Sequence, residues 1–74
     1  MTVHDYHVEL ARLPMSEGGG WQITVPDLPG CLSDGETIEE AERNVADAIL
    51  CWIDAARRLG REIPPPAYAR KHRA

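Results

Sequence analysis

Tyr6, Val8 and Leu10 alternate with His7, Glu9 and Ala11, and Trp21, Ile23 and Val25 alternate with Gln22 and Thr24. A period of two sends every second side chain to the same side of an extended chain, so each run predicts a half-buried strand. Residues 14–20 between them, P-M-S-E-G-G-G, predict a hairpin loop, because three successive glycines lose too much backbone entropy inside a strand. An antiparallel pair is the simplest way to join the two. Pro26-Asp27-Leu28-Pro29-Gly30 ends the second strand, since each proline lacks an N–H and fixes φ, and Pro-Gly favours a reversal. Cys31-Leu32-Ser33 predicts a third short strand, ended by Asp34-Gly35.

The period then changes. Thr37-Ile38-Glu39-Glu40 has the capping-box pattern, in which the Thr hydroxyl accepts from the N–H three residues on and Glu40 reaches back to the cap N–H. Glu36, Glu39, Glu40 and Glu42 suit the positive end of a helix dipole, and Arg57 and Arg58 suit the negative end. With Gly60 as a stop, the pattern predicts a helix over 38–59. On a helical wheel Ile38, Ala41, Val45, Ala48, Ile49, Trp52, Ala56 and Leu59 form one stripe, the face laid on the sheet. Leu50 points away from that stripe, with Ile53 on its flank, and marks a candidate second interface. Arg61 to Pro64 predicts a short edge strand, where a terminal Pro is tolerated. Pro64-Pro65-Pro66 reads as a stiff spacer. The expected architecture is α+β: a single β-β-β-α(-β) domain over 1–66, a three-stranded antiparallel sheet covered on one face by one long helix, followed by a basic, flexible tail over 67–74. The uncovered face should carry His7, Glu9, Gln22 and Thr24.

Seventy-four residues build one small domain with a thin core, which self-association would help to stabilise. No apolar run approaches the roughly 20 residues of a spanning helix, and the N-terminus lacks the basic and apolar regions of a signal peptide, so a cytoplasmic protein with no membrane role is expected. Cys31 and Cys51 are too few for a disulfide framework and read as free, packed thiols. The net charge of −4 is unevenly placed: residues 1–56 hold eleven acids and two bases, and residues 57–74 hold six bases and one acid. An acidic body suits a basic protein partner better than a phosphate backbone, although a merely solvated surface has the same composition.

Catalytic chemistry finds little support. Asp27, Asp34 and Glu36 lie near one another in sequence, but turn chemistry explains the first two and a helix N-terminus the third, so no catalytic metal cluster is expected. Neither cysteine has a second Cys or a His at zinc-ligand spacing. His4, His7 and His72 lie in no nucleophile motif, Ser16 and Ser33 lack the G-x-S-x-G elbow, and Gly18-Gly19-Gly20 is followed by no Lys-Ser/Thr and no helix. The sequence points to a binding module that is not an enzyme and holds no metal or cofactor.

The runs Y-x-V-E-L at Tyr6–Leu10, W-x-I-x-V-P-D-L-P-G-C at Trp21–Cys31 and S-D-G-x-T-x-E-E-A at Ser33–Ala41 lead into a helix with Ala48-Ile49 and Trp52, then Gly60 and Ile63-Pro64-Pro65-Pro66. Together they resemble the HicB family of antitoxins across residues 6–66. The resemblance implies a partial ribonuclease-H-like fold without that enzyme's acidic tetrad, so likeness of fold carries no activity. It implies a type II antitoxin that binds and neutralises a HicA-type toxin, a small basic ribonuclease acting on messenger RNA, and it implies a homodimer or tetramer. Many members add a C-terminal domain that binds operator DNA. The eight residues after Pro66 are too few for one, so a short form without operator binding is expected. Candidate toxin contacts are Asp27, Leu28 and Pro29 in the turn, Asp34 and Glu36 before the helix, and Leu50 on its flank. The alternatives are an orphan HicB-like oligomer without a toxin, and a weak RNA binder or degenerate nuclease-fold protein using the basic tail.

Overall fold

A computed structural model of the chain describes residues 1–66. The basic tail and His72 lie outside the described residues. The elements run β1 (Thr2–Val3), β2 (Tyr6–His7), β3 (Glu9–Arg12), a 3₁₀ turn (Met15–Glu17), β4 (Trp21–Thr24), β5 (Leu32–Gly35) and α1 (Ile38–Arg58). The domain is α+β, as expected: β3, β4 and β5 form an antiparallel sheet with β4 in the centre, and α1 crosses one face.

The first predicted strand is a bent ribbon with two partners. Its start, β2, pairs with β1, and its continuation, β3, pairs with β4. The β1–β2 hairpin was not foreseen. Its two-residue turn is His4-Asp5, held at φ 49° and 69°. Positive φ at both turn positions matches the right-handed twist of the flanking strands. The hairpin tucks Val3 and Tyr6 into the core.

The Pro-Asp-Leu-Pro-Gly segment folds as two β-turns in succession. Leu28 N–H donates to Val25 O at 3.1 Å, closing the first, and Cys31 N–H donates to Leu28 O at 2.9 Å, closing the second. Pro26 and Pro29 each occupy the second position of a turn, where their fixed φ is already correct. Gly30, at φ 80°, takes the left-handed position that a type II turn requires. Leu28 belongs to both turns and its side chain is 0% exposed in the core.

Ile23, Val25, Leu28, Cys31, Ala41, Val45 and Ile49 form the centre of the core, with Val3, Tyr6 and Val8 from the N-terminal ribbon. The helix approaches β5 closely at Gly35, where a Cβ would lie 2.5 Å from Ala41 N. Thr37 caps the helix by accepting from Glu40 N–H at 3.0 Å. Glu40 reaches back as the capping pattern predicts, but to Glu36 N–H (3.4 Å) and not to the cap residue's own N–H. The helix ends in a Schellman arrangement, in which Gly60 N–H donates to Arg57 O and Arg61 N–H to Ala56 O.

Four expectations need correction. Leu59 is 67% exposed, because the helix ends one residue before it and its side chain leaves the apolar stripe. Residues 61–66 form no strand: they fold back as an irregular strap, and Tyr6 Oη–H donates to Pro64 O at 2.6 Å. Leu10 faces the helix side but remains exposed, since α1 covers β5 and β4 without reaching β3. Cys51 is exposed on the outer helix face, while Cys31 is buried as expected.

Two outcomes follow from this core. Leu28→Ala should cost about 3 kcal/mol in urea unfolding, because the double turn holds the backbone around the resulting cavity. Burial pushes the Cys31 thiol above its ordinary value. The folded chain therefore keeps that proton to higher pH than the unfolded chain, and stability should decline above roughly pH 8.5, where the unfolded thiol ionises. A thiol reagent should label Cys51 quickly and Cys31 only on unfolding.

Candidate functional site

Where β5 hands over to the helix, Asp34 and Glu36 meet the loop after the 3₁₀ turn. Glu17, Gly18, Gly19, Asp34, Gly35, Glu36, Glu40 and Asn44 line a groove of about 270 Å³. Local chemistry builds each wall. Pro14 O accepts from Glu17 N–H at 2.9 Å, which closes the 3₁₀ turn and sets Glu17 at the rim. Asn44, one helical turn beyond Glu40, donates from Nδ2 to Asp34 O at 2.8 Å and ties the wall of β5 to the helix.

Four carboxylates surround this groove, and among the described residues no Lys or Arg lines it. The contrast with a larger cavity between β1 and the helix is informative. That space, about 410 Å³, is lined by Glu39 and Glu42 together with Arg43, so its charge is partly compensated. Arg57 and Arg58 lie at the far end of the 21-residue helix, about 31 Å away at 1.5 Å per residue. Arg58 there pairs with Asp54 at 2.9 Å, both side chains being well exposed. Among the described residues, the groove acids and the last-turn arginines thus lie at opposite ends of the helix. The acids at the helix start also answer the positive end of its dipole.

The structure gathers only some of the sequence candidates. Asp34 and Glu36 share the groove. Asp27 is half-buried and Pro29 exposed in the double turn at the opposite end of β5, where Trp52 Nε1–H donates to Pro29 O at 2.9 Å. Leu50 is 53% exposed on the outer face of the helix. Leu28 is a core residue, and its burial withdraws its side chain from any partner surface. Glu17 and Asn44 were not singled out from the sequence. Asn44 carries a readable sign, a polar residue four positions after the box Glu on the flank facing β5, whereas Glu17 carries none. Among the described residues, no three His, Cys, Asp or Glu side chains converge as metal ligands would. No described helix is long and apolar enough to cross a membrane.

The geometry is that of a small α+β domain with a carboxylate-lined groove at the start of its helix. The model of the HicB-like antitoxins of bacterial toxin–antitoxin systems matches residues 7–74, and the chain belongs to that family. It is 38% identical over 48 residues to a UPF0150 protein of Thermoplasma acidophilum, a match covering 65% of this chain and 70% of that protein. It is 40% identical over 48 residues to the antitoxin HicB 2 of Photorhabdus laumondii, covering 65% of this chain and 34% of the relative. An uncharacterised 14.9 kDa protein of Haemophilus phage HP1 is 40% identical over 45 residues, again covering 34% of the relative. The chain therefore spans about a third of the length of the last two.

Thr37→Ala should cost about 1 kcal/mol in urea unfolding. The same change should loosen the groove wall, read as faster amide exchange at Glu40.

Proposed function

We propose that this chain is an antitoxin that binds and neutralises a HicA-type toxin, a small basic ribonuclease that cleaves messenger RNA, in the cytoplasm and without catalysis of its own. Membership of the HicB-like antitoxin family supplies the role. The observation that carries the binding surface is the groove with Glu17, Asp34, Glu36 and Glu40 at its walls and, among the described residues, no basic side chain lining it. Such a surface presents to a basic protein what that protein's RNA substrate presents: closely spaced negative charge on a fixed frame. Complementary potentials steer encounter and orient the complex, and bulk occupying the RNA surface then excludes substrate. Asp34 and Glu36 are the leading contacts. Asp27 and Pro29 in the turn at the other end of β5, and Leu50 on the outer helix face, are further candidate contacts outside the groove.

Co-expression with a HicA-type toxin reading frame tests the role. Growth arrest caused by that frame alone should be relieved by this chain, and persistent arrest would sink the reading. With the purified pair, the double substitution Asp34→Lys and Glu36→Lys should weaken binding at least tenfold, at about the strength expected of two reversed surface charges. The loss should shrink as salt rises. Unchanged affinity would move the contact surface elsewhere on the chain.

A further inference from the structure

The loop between β3 and β4 is a ridge with a different surface on each flank. Leu13 N–H donates to Gly20 O at 2.9 Å across its base, and Pro14 O accepts from both Glu17 N–H (2.9 Å) and Gly19 N–H (3.0 Å). Gly20, at φ 84°, sits so close to β5 that a Cβ there would lie 2.6 Å from Gly35 O. The ridge is therefore fixed before any partner arrives, which lowers the ordering cost of binding. Its Glu17 flank is the acidic groove. Its other flank is a cleft of about 390 Å³ lined by Arg12, Leu13, Pro14, Met15, Gly19 and Gly20. The two hollows share Gly19.

The cleft differs from the groove in kind. Its walls are mostly apolar, with Leu13 half-buried in them. The Met15 side chain is 87% exposed, and its Sδ stands over Gly19, 3.0 Å from where a Cβ would be. A flexible thioether at a surface can mould itself to an apolar partner. Arg12 is the single ionisable residue of the lining. Its guanidinium lies 5.2 Å over the Trp21 ring, and no carboxylate among the described residues pairs with it. Residues 1–56 hold eleven acids against two bases, so this base is left open in acidic company. Stacking on the indole holds the guanidinium while its N–H donors remain free to grip a carboxylate. Arg, Trp and Met are the residue types that protein interfaces favour.

We propose that the cleft takes a second element of the same toxin that fills the groove: an apolar side chain with a carboxylate beside it, the apolar part against Leu13 and Met15 and the carboxylate on Arg12. The toxin then straddles the ridge, with cations in the groove and this segment in the cleft. Continuity and charge select the occupant. Gly19 borders both hollows, so a protein that covers the groove reaches the cleft across one loop. A nucleic acid would meet carboxylates on the near flank and be repelled. Opposite charge on the two flanks of one ridge also fixes the direction in which the partner docks, which an acidic patch alone does not. The inference rests on the antitoxin reading and deepens it.

Peroxide footprinting and affinity measurements with a purified HicA-type toxin test the proposal. In the free chain, hydrogen peroxide should oxidise Met15 to the sulfoxide faster than Met1, which is 49% exposed. Saturating toxin should slow Met15 about fivefold relative to Met1, as burial of the sulfur requires. Met15→Ser should keep the native urea midpoint and weaken binding about fivefold at low and high salt alike, because the lost contact is apolar. Arg12→Glu gives the sharpest sign. It makes the chain more acidic, so steering alone would tighten a basic partner, yet loss of the carboxylate contact should weaken binding about tenfold. Arg43→Glu, the same charge change at the cavity beside β1, should keep or tighten affinity. If the toxin binds but Met15 oxidises as fast as before, or Arg12→Glu binds as tightly as Arg43→Glu, the inference is overturned and the antitoxin reading stands. A toxin that fails to bind the native chain overturns both. Protection of Met15 that grows with the concentration of the chain alone would assign the cleft to a second copy and overturn the inference.

Discussion

The fold depends on the double turn over residues 25–31. Two prolines set φ at the second position of each turn, so the chain reverses at a fixed width and β5 returns in register with β4. The residue shared by both turns, Leu28, has no freedom to point elsewhere and becomes the end wall of the core. Trp52 then closes the corner: its indole ring packs against the core while Nε1–H bonds Pro29 O, so one side chain contributes burial and a directed bond. In a domain this small, where little apolar surface is available, a rigid corner that inserts a full leucine substitutes for core volume.

With stability concentrated in that corner and in the close Gly35–Ala41 approach, the remaining surface is released from structural duty. The acids at the helix start show it. Glu40 contributes to the cap, but Glu17, Asp34 and Glu36 stand around the groove with no base lining it among the described residues. Like charges gathered on one wall are mildly unfavourable to a free monomer and favourable to a positively charged partner. This is the economy expected of a protein whose work is to be bound.

The helix, its cap and its buried stripe were legible because four independent signals agreed over residues 37–60. The turn was legible as a turn, but the fate of Leu28 was not: an apolar residue between two prolines reads as exposed unless both turns are recognised as one unit. The β1–β2 hairpin escaped because His4-Asp5 contains no glycine or asparagine, although both residues adopt positive φ. The strap after Gly60 resembled a strand because Ile63 before proline suits extended backbone, yet residues 61–66 form no strand and the Tyr6 hydroxyl bonds the Pro64 carbonyl. In the candidate site, Asp34 and Glu36 were recoverable from their place before the helix. Glu17 was not, since only the tertiary return of the loop brings it near. Leu10 looked like core by alternation. Its exposure reflects the width of one helix against three strands, a property of layers that no local pattern encodes.

The bond from Tyr6 to Pro64 joins positions 58 residues apart, and Met1 is itself fastened beside Val8. Both ends of the described segment are consequently held by the N-terminal ribbon.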